Sequence, residues 1–328
     1  MTRSLLRYVR DDASRIVEKL KTLKLLKMLH GPSEPLAPLV ERLEGAYARE
    51  WRDCPCVFVL STGRVGSQTL TALLALSPRV VSEHEPRPRL VKASFDAYLE
   101  GGDIGASALW REVVYASRDD FVCDASRRGK IYFETNNRLT YLAPVLAECF
   151  PASKFIHLHR DPFEVVRSAM RRGYYESHNW DFARVRPRPS EPLAAEWETL
   201  PRLEKCAWLW SRVNDEASAF LARLPSDRAL DLRSDLLFAG DEATLRRIFA
   251  FVGVPFPALD QIEKVLGMKL NTAKAGHFPS EWREPDRAAV WRRVEAVATR
   301  LGYTPTGAHR DAGQTERAQE QPRRLAFG

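Results

Sequence analysis

From residue 55 onward, short runs of apolar residues alternate with segments that repeat apolar positions at helical spacing. The short runs predict five strands, at 57–61, 79–84, 130–135, 154–160 and 228–233. The segments between them predict helices at 70–76, 138–150, 163–172 and 203–224. Helices that alternate with continuously apolar strands predict an α/β fold, with a mostly parallel central sheet flanked by helices on both faces. In such folds ligands bind at the carboxyl ends of the strands.

Three segments depart from this alternation. Residues 1–50 predict a basic helical segment, with lysines interleaved among apolar residues at helical spacing. It could contact an anionic membrane surface, although packing on the main domain or dimerisation with a second subunit is the more common arrangement. Residues 173–201, rich in proline, arginine and aromatic residues, predict a long loop over the site or a structural insertion. Residues 306–328 predict a disordered tail after an α/β domain at 51–305.

Composition narrows the class of protein. The 328 residues are 45% hydrophobic and 28% charged, as in ordinary globular proteins. No apolar run approaches the roughly 18 residues of a membrane span, and the N-terminus is charged too early for a secretory signal. Five scattered cysteines do not indicate a disulfide framework. These features predict a soluble cytoplasmic protein whose membrane contact, if any, is peripheral. The net charge of +7 favours anionic ligands, and nucleic acid is not among the predicted partners.

The stretch VFVLSTGRVGSQTL predicts a strand, a tight loop and the start of a helix. Gly63 and Gly66 allow the backbone to turn its amides toward one point, where the positive end of the helix dipole also acts. Arg64 adds a planar cation suited to phosphate oxygens, and Ser67 and Thr69 add hydroxyl donors. The loop therefore predicts a site for a phosphate compound.

The spacing of this loop differs from that of a nucleoside triphosphate loop. That loop requires GxxxxGK[ST], whereas Ser67 and Gln68 follow Gly66 where a lysine and a hydroxyl residue should stand. The sequence thus disfavours an ordinary ATP or GTP enzyme. A P-loop small-molecule kinase stays as an alternative function, and a plain connector between strand and helix as an alternative for the loop.

A second motif, HLHRDPFEVVRSAMRR, follows the fourth predicted strand. Asp161 is placed to cap a helix, Pro162 occupies its first position, and Glu164 is expected to complete a capping box. Arg160 then lies at the carboxyl end of the strand, and Ser168 about two turns into the helix. Both side chains could reach a second anionic group beside the first loop.

Together, STGRVGSQTL and RDPFEVVRS resemble the two cofactor-binding signatures of sulfotransferases that use 3'-phosphoadenosine 5'-phosphosulfate (PAPS), especially the carbohydrate and tyrosyl-protein branch. The resemblance continues in order through LAECFPASKFIHLHRDP, CAWLWSRVND, LRRIFAFVGVP and LGYTP, over about residues 55–305. It implies a three-layer P-loop NTPase-like fold.

The resemblance also implies which residues bind PAPS. The side of the 5'-phosphosulfate would be formed by the first loop and helix turn, namely Arg64, Gly66, Ser67, Gln68 and Thr69. The 3'-phosphate would be held by Arg160 and Ser168. Lys274, in NTAKAGHF, is a further predicted contact, because this segment is loosely similar to the late cofactor loop of the family.

Two neighbouring residues are candidates for the general base. Glu85, in SEHEPRP, ends the second strand where the resembling carbohydrate and tyrosyl-protein enzymes place a carboxylate, and His84 is the alternate because the small-molecule branch uses a histidine. Strand alternation predicts that only one of them faces the site. His157 and His159 share a strand face, but without a third ligand at useful spacing they are predicted to be packed or hydrogen-bonded rather than metal-bound.

The resemblance implies an enzyme that moves a sulfuryl group from PAPS to a hydroxyl acceptor, with a carbohydrate or a sugar-bearing metabolite as the expected class. Arg64 and the loop amides would stabilise the leaving oxygen, and no metal is expected. A non-catalytic nucleotide-binding or membrane-surface adapter on the same fold is the alternative from a different class.

Overall fold

Five parallel strands form the central sheet of the structure, a computed structural model that describes residues 54–102, 104–268 and 282–306. The strands are β1 (Cys56–Leu60), β2 (Val80–His84), β3 (Ile131–Thr135), β4 (Lys154–His159) and β5 (Ala229–Arg233). Their order in the sheet is β2-β3-β1-β4-β5, and every pairing is parallel. The five predicted strands and the predicted α/β fold with a parallel central sheet are confirmed.

The helices of the described ranges are α1 (Ser67–Leu74), α2 (Val91–Glu100), α3 (Ala108–Arg127), α4 (Ala143–Cys149), α5 (Pro162–Arg171), α6 (Arg202–Leu221), α7 (Ser234–Phe238), α8 (Glu242–Val252), α9 (Leu259–Leu266) and α10 (Glu284–Arg300). Short 3₁₀ turns lie at Ile104–Ala106, Thr140–Leu142, Asp181–Ala183 and Pro192–Ala194. The four predicted helical segments are confirmed, with 138–150 divided into a 3₁₀ turn and α4. None of these helices is long and apolar enough to cross a bilayer.

Three predictions fall on parts of the chain outside the described residues. These are the basic helix at 1–50, the tail beyond residue 306 and the contact made by Lys274. By contrast, 173–201 is described, and it contains only short 3₁₀ turns, as predicted for a long loop.

The register of the sheet brings the carboxyl ends of the strands to one edge. Val59 in β1 is aligned with Thr135 in β3 and Ile156 in β4, and His84 in β2 is aligned with Thr135. The loops that leave β1, β2, β3 and β4 therefore start side by side, and this edge is where an α/β sheet places its ligands.

Aromatic packing fixes one face of the sheet. The Phe58 ring lies 5.8 Å from the rings of Phe150 and Phe155, and Phe155 makes an edge contact with Phe220 of α6 at 4.9 Å. Phe58 is fully buried. Such aromatic contacts add about 0.5–1.5 kcal/mol each beyond the burial of apolar area. They therefore stabilise the position of the strands that carry the candidate site.

A buried ion pair supports the end of β3. The Arg118 guanidinium of α3 donates to both carboxylate oxygens of Glu134, at 2.6 and 2.7 Å, and both side chains are fully buried. Glu134 also accepts hydrogen bonds from Tyr132 and Asn136, while Arg118 donates to the backbone oxygen of Pro88 at 3.0 Å. The network thus ties the end of β3 to the loop that follows β2.

Candidate active site

The loop between β1 and α1 has the backbone of an anion site. Gly63, Arg64 and Gly66 adopt left-handed conformations, with φ of 75°, 63° and 84°, and Gly66 immediately precedes α1. A Cβ at Gly66 would overlap the Phe238 ring, so this position requires glycine. A sharply turned loop that leads into a helix N-terminus presents backbone N–H groups to an anion.

Arg64 connects the two predicted anion sites. Its Nε donates to the Ser168 Oγ of α5 at 2.9 Å, although the two residues are 104 positions apart in the chain. Burial, together with the cation of Arg172, lowers the pKa of Arg64 below its ordinary value. A cation that burial disfavours is stabilised when an anion binds beside it.

The second motif starts a helix where its capping residues predict one, with one difference in the hydrogen bonds. The Asp161 side chain accepts the Glu164 N–H at 3.1 Å, and Pro162 is the first residue of α5. The Glu164 carboxylate does not complete the expected capping box. It pairs instead with Arg167 at 2.5 Å and with Arg160 at 3.4 Å, because ion pairs with these arginines compete for its oxygens.

Arg160 stands at the end of β4, with its guanidinium 5.4 Å from the centre of the Phe238 ring. Its backbone oxygen accepts a hydrogen bond from Trp210 at 3.0 Å, which fixes the turn between β4 and α5. Since the ring of Phe238 also packs against Gly66, the ring bridges the first loop and the second motif.

The remaining residues predicted to contact PAPS differ in whether they line the cavity. Ser67 lines the cavity next to Arg64. Gln68 and Thr69 follow in the first turn of α1 but are not among the lining residues, and the side chain of Thr69 is buried. Lys274 lies outside the described residues. The structure therefore brings Arg64, Ser67 and Ser168 together, and it leaves the contacts of Gln68 and Thr69 as predictions.

Both candidate bases line the cavity, so the prediction that only one of them faces the site is wrong. Alternation applies to an extended strand, and Glu85 lies one residue beyond the end of β2 with a left-handed φ of 47°. Its N–H donates to the backbone oxygen of Thr135 at 2.9 Å. This turn brings the Glu85 carboxyl group to the same side as the His84 ring.

The two side chains have different surroundings. The Glu85 carboxylate is 39% exposed and lies 4.0 Å from the Arg89 guanidinium. The Nδ1 of His84 is 2.8 Å from the Thr135 hydroxyl. Burial lowers the pKa of His84, and the neighbouring Glu85 carboxylate opposes only part of that effect. Burial therefore favours the neutral form of the His84 ring, which is the form that can accept a proton.

The cavity extends from the first loop to the start of the long loop at 173–201. The cavity has a volume of about 170 Å³, taken as the space open to the centre of a water molecule. Tyr174, His178 and Trp180 contribute to its wall from the long loop. The His178 Nδ1 accepts the Trp180 N–H at 3.2 Å and lies 2.9 Å from the Arg184 guanidinium.

Sequence reasoning missed part of this wall. The cavity is also lined by Asn136, Asn137 and Arg138, which follow β3, and by Arg89 and Arg172. A usable signal was present, because the polar run NNR comes directly after a buried strand, where ligands bind in this fold class.

The histidines of β4 belong to a hydrogen-bonded network away from the cavity, as predicted. His157 lies 2.9 Å from the Asn214 side chain, and His159 lies 2.8 Å from the Tyr303 hydroxyl. Both rings also contact the Asp231 carboxylate of β5, at 2.8 and 3.2 Å. In the described ranges, no cluster of three or more histidine, cysteine or acidic side chains is arranged to hold a metal ion.

Comparison with known proteins defines the class. The model of the Sulfotransferase family matches residues 55–258, which is more than half of the chain. This protein therefore belongs to the sulfotransferase family, and it is a sulfotransferase enzyme. The family resemblance predicted from the two motifs is confirmed. No curated protein sequence matches the chain.

Several solved structures are similar to this chain at low sequence identity. The sulfotransferase domain of the Synechococcus PCC 7002 olefin synthase is 16% identical, with a TM-score of 0.43 over 74% of this chain and 94% of that domain. The sulfotransferase domain from the curacin biosynthetic pathway is 16% identical, with a TM-score of 0.46 over 77% and 99%. Sulfotransferase STF9 from Mycobacterium avium is 14% identical, with a TM-score of 0.46 over 78% and 81%.

Proposed function

We propose that this sulfotransferase transfers the sulfuryl group of PAPS to a hydroxyl group, on a carbohydrate or a sugar-bearing metabolite. The observation that carries the proposal is the hydrogen bond between Arg64 and Ser168, which joins the two predicted phosphate sites beside a cavity that also contains Glu85 and His84. A nucleotide with anionic groups at both its 5' and 3' positions matches such a pair of sites.

The residues present fit this donor. The turned loop from Gly63 to Gly66, the N-terminus of α1 and Arg64 would bind the 5'-phosphosulfate. Ser168 and Arg160 would bind the 3'-phosphate. Because the Ser168 oxygen accepts from Arg64, its own hydrogen stays available to a phosphate oxygen.

The transfer step needs positioning and charge stabilisation more than covalent chemistry. The acceptor oxygen forms a bond to sulfur as the bond from sulfur to the bridging oxygen breaks. The electron pair of the broken bond leaves on the 5'-phosphate of 3'-phosphoadenosine 5'-phosphate (PAP). Arg64 and the loop amides would stabilise the charge that develops on this oxygen.

The proton of the acceptor hydroxyl needs a base in the cavity. Glu85 is our first candidate, because its carboxylate is partly exposed to the cavity and carries an unbonded lone pair even beside Arg89. His84 is the second candidate, since its ring lines the same wall and burial lowers its pKa, which favours the form that accepts a proton. A small-molecule kinase is disfavoured, because the loop lacks the lysine of the triphosphate motif.

Transfer from labelled PAPS to a panel of hydroxyl acceptors tests the proposal, together with calorimetric titration of PAP in the absence of magnesium. We expect saturable PAP binding and label transfer to at least one carbohydrate acceptor. PAP binding too weak to saturate, or label transfer to none of the hydroxyl acceptors, would contradict the proposal. The proposed function does not depend on the predicted role of the basic segment 1–50 in membrane contact or dimerisation.

A further inference from the structure

The wall of the cavity carries an excess of positive charge. Its charged side chains are four arginines and one glutamate, namely Arg64, Arg89, Arg138, Arg172 and Glu85. Arg89 lies 4.0 Å from Glu85, so this pair is close to neutral as a unit. Cations that are partly withdrawn from water are unfavourable unless an anion compensates them. The cavity is therefore suited to more than one anionic group.

Arg138 is a cation of the cavity wall that has no ion-pair partner among the described residues. Its backbone N–H donates to Asn136 at 3.0 Å, but its guanidinium makes no hydrogen bond or ion pair with any residue in 54–102, 104–268 or 282–306. The neighbouring Arg184, in contrast, pairs with Asp181 at 2.5 Å. Burial and the cation of Arg184 lower the pKa of Arg138, and the Tyr174 and Glu85 groups oppose only part of this effect.

A second arginine provides a direct contrast. Arg212 lies in an ion pair with Glu191, and its pKa is raised, because the Tyr98 and Glu191 groups outweigh the effect of burial. The guanidinium of Arg138 thus has the character of a ligand-binding cation rather than of a structural one.

Binding of PAPS would explain the position of Arg64 in the cavity wall, but it would not explain that of Arg138. In the proposed function the phosphosulfate lies on the first loop, at Arg64 and the N-terminus of α1. Arg138 enters the cavity from a different element, the segment that follows β3, and Glu85 enters from the end of β2. The acceptor hydroxyl must approach the sulfuryl group from the side of Glu85, where Arg138 also lines the wall.

We propose that the acceptor carries an oxyanion group, such as a carboxylate or a sulfate or phosphate ester, and that the Arg138 guanidinium binds this group. The inference rests on the proposed function and narrows its acceptor to hydroxyl compounds with an acidic substituent. Guanidinium groups bind carboxylates and phosphates through two parallel hydrogen bonds, which orients the acceptor as well as attracting it.

The test compares pairs of acceptors that differ only in the anionic group, methyl glucuronide against methyl glucoside and hydroxyphenylacetate against its amide. We expect wild-type protein to favour the anionic member in kcat/KM by roughly 10- to 150-fold, the range for a hydrogen bond to a charged group. Arg138→Gln should bring this preference close to unity, and Arg138→Lys should keep part of it because the charge remains. Titration with PAP verifies that each variant is folded.

Arg79→Gln is the matched control, because it removes the same charge from an exposed residue just before β2, at the opposite edge of the sheet. It should keep the preference of wild type. If the wild type treats both members alike, or if Arg138→Gln slows both members equally, the inference is overturned while the proposed function stands.

A second readout separates failure of the inference from failure of the proposed function. Binding of the same pairs to PAP-saturated protein is measured by ligand-observed NMR, which requires no turnover. Absence of transfer to every acceptor would refute the transferase proposal, and binding of the anionic members that depends on Arg138 would still support the oxyanion site. Absence of both transfer and such binding would overturn both.

Discussion

Replacing Ser168 by alanine is the most direct test of the junction between the two proposed phosphate sites. The Ser168 Oγ accepts a hydrogen bond from Arg64 at 2.9 Å, and its hydroxyl hydrogen is not used in that bond. In the proposed complex this hydrogen is donated to the 3'-phosphate. Ser168→Ala therefore removes one donor to a charged oxygen and one contact that orients Arg64.

These two losses differ in size. A hydrogen bond to a charged group contributes about 1.5–3 kcal/mol, so loss of the donor should weaken PAP binding roughly 10- to 150-fold. Adenosine 5'-phosphate lacks the 3'-phosphate and senses only the orientation of Arg64. Because that guanidinium is partly buried and keeps its place in the cavity wall, its binding should weaken by less than about tenfold.

Titration calorimetry of both nucleotides, into wild type and variant at one salt concentration, measures the difference. Ser126→Ala is the control, since Ser126 lies in the last turn of α3 and is absent from the cavity wall. An equal weakening of both nucleotides would show that Ser168 acts only through Arg64. Unchanged binding of both would remove Ser168 from the nucleotide site.

Three further predictions address the base, the stability of β3 and the effect of acid. Glu85→Gln cannot take the acceptor proton, so single-turnover transfer from PAPS should fall about 100- to 10,000-fold with PAP affinity unchanged; near-normal transfer would exclude Glu85 as the base. Glu134→Gln leaves the fully buried Arg118 without its counter-charge, so it should lower the free energy of unfolding, measured in urea, by about 3–5 kcal/mol. The control Glu164→Gln affects a partly exposed ion pair and should change this free energy by less than about 1 kcal/mol. Equal effects of the two variants would refute this reasoning. Burial and the Arg184 cation lower the pKa of His178 to about 4, while the unfolded chain binds this proton below about pH 6.5. Stability should therefore fall as the pH drops from about 6.5 toward 4; His178→Gln should flatten the decline in Tm, and an unchanged slope would contradict the assignment.

The parts of the fold that local physics determines could be predicted from the sequence. The strands β1 and β3 are short runs that the sheet buries on both faces, so their positions follow from their composition. The start of α5 follows from Asp161 and Pro162, because a capping carboxylate and a proline at the first position act within one turn. The two proposed phosphate sites lie on elements that such local signals determine, and these elements were predicted correctly.

Properties that depend on tertiary placement could not be predicted in the same way. Alternation predicted that Glu85 and His84 face opposite sides, but it does not describe a residue that has left the strand in a left-handed conformation. The hydrogen bond between Arg64 and Ser168 joins residues far apart in the chain, so no spacing rule indicates it. The same holds for the ion pair of Glu134, whose partner comes from a different element.

The segment after β3 shows where a more general rule predicts residues of the cavity wall. The first polar residues after β1, β2, β3 and β4 include Arg64, Glu85, Arg138 and Arg160, and the first three of these line one cavity. A parallel sheet necessarily gathers such residues at one edge, so a polar side chain just after a buried strand is a candidate even without a known motif. Applied to β3, this rule selects the segment that contains Arg138. The rule cannot indicate whether such a residue has an ion-pair partner, because that depends on which side chains pack around the guanidinium in the folded protein.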